Sequence, residues 1–137
     1  MPLRYLLDTN TVSYAIKNDP RSVRDRLKAI PKDLVALSVF TQAELLYGLA
    51  RRPEAKRLRH EVESFLRSFQ ILTWDSPAAV SYSELRAGQG RKGRPLSHED
   101  LMIAAHALSL RLTLVTSDKA FSFVDGLKTE DWTVGQG

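Results

Sequence analysis

The sequence contains no cysteine and no long uninterrupted apolar segment, and both absences narrow what the protein can be. Without cysteine there is no disulfide framework, no thiolate metal site and no cysteine nucleophile. No apolar segment approaches the roughly 18 residues that a membrane span requires. Asp8 also interrupts the N-terminal apolar run too early for a signal peptide. We therefore expect a cytoplasmic protein without membrane association.

The remaining composition is that of an ordinary globular domain. The chain has 137 residues, of which 43% are hydrophobic and 26% are charged. This length is sufficient to bury a core without disulfides or structural metals. No repeat, low-complexity tract or linker divides the chain, so we expect a single domain over residues 1–137.

The chain is basic, with 20 Lys and Arg against 16 Asp and Glu and a net charge of +4. A basic protein is attracted to polyanions, nucleic acid first among them, although solvated helix faces explain most of these residues equally well. The basic residues form three groups: Arg21, Arg24, Arg26 and Lys28; Arg51, Arg52, Lys56, Arg57 and Arg59; Arg86, Arg91, Lys92 and Arg94. The third group overlaps a glycine-rich loop predicted over residues 88–95. No strand precedes that loop, which excludes a dinucleotide-binding fingerprint.

Apolar runs of strand length alternate with segments of helical periodicity. We predict strands over residues 3–7, 34–39, 70–74, 112–116 and 132–134, and helices over residues 11–17, 20–30, 41–49, 54–69, 76–88 and 100–110. Alternation of this kind is typical of a mainly parallel sheet with helices on both faces. The expected architecture is an α/β/α domain whose central sheet has four to five strands.

Two acids follow predicted strands. The first strand stops abruptly on Asp8, and Asp118 follows the fourth predicted strand. In open α/β sheets, ligands bind at the carboxyl ends of the strands. If the two strands are neighbours, both carboxylates face one crevice. The alternative is that Asp8 or Thr9 only caps the helix that follows.

Two further acids lie in the predicted first turns of helices. Glu44 and Asp100 each come three residues after a hydroxyl, Thr41 and Ser97 respectively. This spacing is also that of a capping box, and that explanation stays open for both. Their helices are apolar enough to be buried, so the N-termini would open onto the sheet edge, where unpaired charge is costly.

Four carboxylates in one crevice would raise one another's pKa values, and a divalent cation resolves the repulsion. A site of carboxylate oxygens and water suits Mg²⁺ or Mn²⁺. Zinc is disfavoured because the three histidines form no ligand pair at helical spacing. We expect His60 at the surface and His106 at the edge of the core, and His98 is a candidate for substrate contact.

With these positions established, the sequence resembles the PIN-domain ribonucleases, specifically the VapC toxins of toxin–antitoxin pairs. The segments LLDTNTVSYAIK and SVFTQAELLYGL are similar to those that carry the family's first acid, here Asp8, and its glutamate, here Glu44. GRPLSHEDLMIAAHAL and LVTSDKAFSFVDGLKTEDW are similar to the blocks of the third and fourth acids, here Asp100 and Asp118. The last block is a residue shorter before Phe121 than is common in the family.

The resemblance implies a compact α/β/α fold, Mg²⁺- or Mn²⁺-dependent cleavage of RNA, a homodimer, and a cognate antitoxin that neutralises the protein in a hetero-oligomer. The expected metal-binding and catalytic residues are Asp8, Glu44, Asp100 and Asp118. Residues expected to orient these carboxylates or to contact RNA are Thr9, Asn10, Thr116, Ser117 and Arg86.

The predicted reaction is hydrolysis of RNA phosphodiester bonds by a water that the cation activates, leaving a 5′-phosphate and a 3′-hydroxyl. Two alternatives remain. One is an aspartate-nucleophile phosphatase resembling the haloacid dehalogenases, which requires a second acid where this chain has Asn10. The other is a catalytically silent module that keeps the fold and its partner contacts only.

Overall fold

Five short strands form the central sheet of the computed structural model, which describes residues 2–92 and 96–134, apart from the side chains of residues 90–92. The strands are β1 (Tyr5–Leu7), β2 (Val35–Ser38), β3 (Gln70–Leu72), β4 (Thr113–Val115) and β5 (Thr129–Glu130). Every neighbouring pair is parallel, and the order across the sheet is β3-β2-β1-β4-β5. The predicted α/β class is confirmed, with five strands.

Helices cover both faces of this sheet. They are α1 (Thr9–Lys17), α2 (Arg21–Ala29), α3 (Val39–Ala50), α4 (Lys56–Ser68), α5 (Ser76–Lys92) and α6 (His98–Leu110). The first four contribute to a core on one face, around Leu7 and Leu37, and α5 and α6 contribute to a core on the other, around Leu6 and Leu114. No helix in the described residues is both long enough and apolar enough to cross a bilayer.

The inner strands are buried on both faces, which explains their continuous apolar sequences. Leu6, Leu7, Leu37 and Leu114 are each 0% exposed. In a parallel sheet covered by helices on both sides, successive side chains enter opposite cores, so the side chains on both faces of a strand are mainly apolar. The sequence YLL of β1 satisfies this requirement at all three positions.

The strand order places a topological switch point between β1 and β4. From β1 the chain builds outward to β2 and β3, then returns through α5 and α6 to pair β4 with the other side of β1. Leu7 is in register with Val115. The residues that follow these two strands, including Asp8 and Thr116, therefore emerge at the same level of the same edge, where α/β sheets bind ligands.

The last strand lies earlier in the chain than the sequence pattern predicts. β5 comprises Thr129–Glu130 rather than residues 132–134. Trp132 instead turns into the core, where its ring packs edge-on against Tyr5 with centroids 5.3 Å apart. Its indole N–H donates to Glu130 Oε1 at 3.0 Å. The apolar side chain that suggested a strand is therefore buried by packing against the sheet.

Several helix boundaries also differ from prediction, and three of the differences concern residues singled out in the sequence. Helix α3 begins at Val39 with Ser38 as its N-cap, so Thr41 is not a cap and Glu44 lies in the second turn rather than the first. Helix α1 begins at Thr9, directly after Asp8, and not at Thr11. The glycine-rich stretch predicted as a loop over residues 88–95 is helical up to Lys92, and residues 93–95 lie outside the described part of the chain.

His106 is a fully buried junction residue and not, as predicted, at the edge of the core. It is 1% exposed. Its Nδ1 lies 2.9 Å from Ser38 Oγ and its Nε2 lies 3.0 Å from the Thr73 carbonyl oxygen. Because a carbonyl can only accept, the neutral ring donates from Nε2 and accepts at Nδ1 from Ser38. The side chain thereby joins α6 to the N-cap of α3 and to the segment after β3.

Replacing His106 with Ala should destabilise the fold by about 2–4 kcal/mol, because it creates a cavity and removes the partners of Ser38 and Thr73. Burial lowers the pKa of His106 below 6.5, so the unfolded chain binds the proton more tightly. Its contribution should therefore be lost as the pH falls below 6.5. Urea unfolding at about pH 7.5 and 5.5 measures both effects. The exposed His60→Ala serves as control, and equal stabilities of the two variants would contradict this role.

Candidate active site

Asp8 occupies the junction of β1 and α1. Its Oδ1 accepts a hydrogen bond from the Thr11 backbone N–H at 2.8 Å, which makes it the N-cap of α1. The Thr11 hydroxyl and the Asp8 backbone N–H both donate to the Val115 carbonyl, at 3.0 and 3.1 Å. Asp8 therefore does cap the helix, as the alternative interpretation held. The cap holds its carboxylate, 6% exposed, at the switch point beside β4.

Thr116, directly after β4, connects Asp8 with Asp118. The Thr116 side chain is hydrogen-bonded to the Asp8 carboxylate, and its Oγ1 accepts from the Asp118 backbone N–H at 3.1 Å. Since a carboxylate only accepts, the Thr116 hydroxyl donates to Asp8. Asp118 in turn caps the 3₁₀ helix Lys119–Phe123, with its Oδ1 accepting from Ala120 N at 2.9 Å.

Asp100 is the third residue of α6 and enters the site from the other face of the sheet. Ser97 is the N-cap, and its Oγ accepts from the Asp100 backbone N–H at 3.1 Å. The predicted cap spacing is thus present at Ser97. It is compatible with a second role for Asp100, because the cap bond uses the backbone N–H and the carboxylate, although also hydrogen-bonded to the Ser97 side chain, keeps further acceptor positions.

Asp8, Asp100 and Asp118, which we call the acidic cluster, affect one another electrostatically. Burial raises the pKa of Asp8, an effect that bonds from Thr116 and Thr11 oppose and the charge of Asp118 reinforces. Burial also raises the pKa of Asp100, opposed by Ser97 and reinforced by the charges of Asp118, Asp8 and Glu99. Like charges thus accumulate at the switch point.

Glu44 lies beside this cluster and is connected to it through Thr9. The Thr9 hydroxyl donates to Glu44 Oε1 at 2.9 Å and lies 3.4 Å from Thr41 Oγ1. Glu44 is exposed, and its charge is not among those that raise the pKa of Asp8 or Asp100. Three of the four predicted acids are therefore brought together, and the fourth is held at the margin by the residue after Asp8.

The acidic cluster has no countercharge from the described residues. Salt bridges there join Arg26 to Glu130, Arg57 to Glu61 and Arg59 to Glu63, and none includes a site acid. In the same residues, no three acidic or histidine side chains already form a metal-chelating group. An uncompensated set of carboxylate oxygens nevertheless fits a hard divalent cation such as Mg²⁺ or Mn²⁺.

The other predicted residues are distributed unevenly. Thr9 and Thr116 contact site carboxylates, whereas Asn10 and Ser117 have no side-chain hydrogen bond within the described chain. Arg86 donates from Nη1 to the Tyr82 hydroxyl at 3.2 Å. Of the other basic residues near it in sequence, Arg94 and the side chains of Arg91 and Lys92 lie outside the described structure.

Tyr82 contacts one of the candidate substrate residues, a contact that the sequence does not predict. Its hydroxyl lies 3.2 Å from His98 Nδ1, two residues before Asp100. Tyr82 stands in the middle of an ordinary amphipathic pattern, six residues after the start of α5. Its sequence neighbours carry no signal that would distinguish it from a core tyrosine.

Comparison with known proteins identifies the family of this chain. The family model of the PIN domain matches residues 5–127. The chain is 38% identical over 132 residues to the tRNA(fMet)-specific endonuclease VapC of Shigella flexneri, covering 96% of this chain and 99% of that protein. It is 33% identical to ribonuclease VapC2 of Rickettsia felis, with coverage of 93% and 97%.

Among solved structures, the DNA-bound VapBC complex of Salmonella typhimurium contains a chain with a TM-score of 0.88 and 36% identity, covering 95% of this chain and 98% of that one. The fold thus belongs to a known class. The protein is a member of the PIN-domain family. The two relatives named above are VapC nucleases.

Proposed function

We propose that the protein is a metal-dependent endoribonuclease, the toxin of a VapBC-type toxin–antitoxin pair. The observation that carries this proposal is the acidic cluster, in which the charge of Asp118 raises the pKa of Asp8 and the charges of Asp118 and Asp8 raise the pKa of Asp100, without a countercharge from the described residues. Relatives of similar length are named ribonucleases or tRNA endonucleases, which supports RNA as the substrate.

In this proposal Asp8, Asp100 and Asp118 hold Mg²⁺ or Mn²⁺, and Glu44 completes the site. When bound, the cation lowers the pKa of water and stabilises charge on the leaving oxygen. The chain's own residues set the orientation. The Thr116 hydroxyl fixes the Asp8 carboxylate and the backbone of Asp118, and the Thr9 hydroxyl fixes Glu44. Such outer contacts hold carboxylate ligands in one orientation.

The proposal includes partners. Structures similar to this chain are VapBC complexes from Salmonella typhimurium and Rickettsia felis, which supports a cognate antitoxin here as well. We further propose a homodimer, which can join the antitoxin in a hetero-oligomer, and a cytoplasmic location where RNA is available. Transfer RNA is the first substrate to test, because the Shigella and Salmonella relatives are named for tRNA(fMet).

The competing interpretations predict different chemistry. The family match favours hydrolysis over an aspartate-nucleophile phosphatase. So does Asn10, which stands where such a phosphatase requires a second acid. A silent module would retain antitoxin binding and lack cleavage. All four acids of the family pattern are present, which favours an active enzyme.

The purified protein should cleave transfer RNA in the presence of Mg²⁺ or Mn²⁺, and not when the metal is chelated. Products should carry a 5′-phosphate and a 3′-hydroxyl, and end-specific ligation followed by sequencing detects both. Cleavage that persists at the full rate in excess chelator would contradict the proposal, as would a trapped aspartyl-phosphate. Absence of cleavage with either metal on cellular RNA would favour the silent module.

A further inference from the structure

We propose that Arg86, Tyr82 and His98 form a subsite for a backbone phosphate of RNA, next to the acidic cluster and separate from the phosphate that is cleaved. The inference rests on the proposed ribonuclease function and assigns these residues a binding role. It adds substrate contacts on α5 and at the start of α6, on the face of the sheet opposite α1 to α4.

The three side chains form a directional chain of hydrogen bonds. Arg86 Nη1 donates to the Tyr82 hydroxyl oxygen at 3.2 Å, and that oxygen lies 3.2 Å from His98 Nδ1. A guanidinium cannot accept, so the Tyr82 oxygen accepts from Arg86 and its own proton is free to donate to Nδ1. A neutral imidazole that accepts at Nδ1 carries its proton on Nε2. His98 thereby presents an N–H donor beside the donors of Arg86.

Aromatic packing holds the central member of this chain. The Tyr82 ring packs edge-on against Trp74, with centroids 6.0 Å apart. The Trp74 indole N–H donates to the Met102 carbonyl at 3.1 Å, and its ring packs edge-on against Phe40 at 5.8 Å. The hydroxyl that orients both donors is therefore fixed before a ligand arrives, which reduces the entropy lost on binding.

This hydrogen-bonded chain and the acidic cluster share the first turn of α6. His98 is the first residue of α6 and Asp100 is the third, so their side chains leave that turn about 200° apart around the helix axis. The Trp74 indole bonds the carbonyl of Met102, one turn after His98. Both Arg86 and His98 are exposed, so their remaining donors are accessible. An RNA strand with one phosphate at the acidic cluster has further phosphates within reach of this position.

Apart from its position over the Tyr82 ring, with Cζ 6.0 Å from the ring centroid, the charge of Arg86 has no partner in the described residues. None of the three salt bridges found there includes it, and no cation is among the groups that shift the pKa of Asp8 or Asp100. Arg86 thus has no ionic partner in this part of the chain and does not neutralise the acidic cluster. A planar guanidinium with free N–H groups matches phosphate oxygens in geometry and charge, which favours an anion as its ligand.

The experiment compares three variants in an Asp8→Asn background that does not cleave. Arg86→Gln removes the charge, Tyr82→Phe keeps the ring and removes the hydroxyl, and Arg67→Gln is the matched control. Arg67 is exposed in the last turn of α4, on the other face of the sheet. Fluorescence anisotropy measures the Kd of a labelled single-stranded RNA at several salt concentrations.

Arg86→Gln should raise the Kd about tenfold and reduce the slope of log Kd against log salt by about 0.7, the value for one phosphate contact on a single strand. Tyr82→Phe should raise the Kd about threefold, because Arg86 and His98 lose the hydroxyl that orients them while the charge of Arg86 remains. Arg67→Gln should change neither quantity. With Asp8 restored and metal present, Arg86→Gln should raise KM and leave kcat within about twofold.

The subsite would be overturned if Arg86→Gln and Tyr82→Phe had the same Kd for the RNA as Arg67→Gln at every salt concentration. A lower Tm of these two variants without a change in RNA binding would likewise overturn it. The three hydrogen-bonded side chains would then only link α5 to α6. If the parent protein fails to cleave RNA while the salt slope still changes, the proposed ribonuclease function fails and the phosphate subsite stands.

Discussion

Replacing Asp8 with Asn is expected to lower RNA cleavage by on the order of a thousandfold while leaving the fold intact. Asn caps helices about as well as Asp, so its side-chain oxygen can still accept from Thr11 N, and α1 keeps its start. What the substitution removes is the negative charge at the switch point. Asp100→Asn should have a comparable effect, because Asp100 contributes a like charge from α6.

The measurement is the initial rate of tRNA cleavage at saturating Mn²⁺, with circular dichroism as the check on folding. Asp33→Asn is the matched control, since Asp33 is an exposed aspartate in the 3₁₀ helix Lys32–Leu34 far from the site in the fold. It should cleave at the parental rate. An Asp8→Asn protein that is folded and cleaves at the parental rate would show that the site has been assigned to the wrong residues.

The second large effect is on stability. Asp8→Asn, which should lower RNA cleavage, should raise the stability of the metal-free protein. Burial raises the pKa of Asp8 above 3.8, so the folded chain binds the proton more tightly than the unfolded chain. Stability is therefore lost as the pH rises through the raised pKa, and at neutral pH the cost of the buried charge is complete. In metal-free buffer, Asp8→Asn should be more stable by about 1 kcal/mol, a rise in Tm of about 3–5 °C.

Metal should reverse this order. A cation that binds only the folded state stabilises it in proportion to the logarithm of its concentration above Kd. Addition of Mg²⁺ or Mn²⁺ should therefore raise the Tm of the parent and leave that of Asp8→Asn nearly unchanged. The test is differential scanning fluorimetry across a metal titration. Equal shifts in both proteins would mean that the cation acts elsewhere, and a destabilised Asp8→Asn would mean that the carboxylate is matched by positive charge.

Much of the fold was predictable because local patterns determine it. Burial on both faces favours apolar strands, and YLL of β1, the VAL of β2 and the LV of β4 meet that requirement in the sequence itself. The misplaced element, β5, shows the limit of such patterns. Trp132 and Val134 look like strand residues, but the ladder is made by the backbone of residues 128–130 and Trp132 fills the core beside Tyr5.

The site was predictable to a lesser extent, because it depends on strand order. The position of Asp8 after β1 is readable from the sequence, but its proximity to Thr116 follows only from the pairing of β1 with β4. The capping contacts at Asp8 and Asp100 do not exclude the proposed site roles, although the sequence presented the two as alternatives. The Tyr82–His98 contact joins two helices at a separation that no local pattern encodes.

The central claim is that Asp8, Asp100 and Asp118 share a divalent cation, and a Mn²⁺ soak of crystals of the protein tests it most directly. The account predicts an anomalous difference peak coordinated by oxygens of all three carboxylates, and its disappearance in Asp8→Asn crystals grown the same way. A structure at saturating Mn²⁺ with no anomalous peak there, or with an arginine or lysine side chain bound to these carboxylates instead, would contradict it.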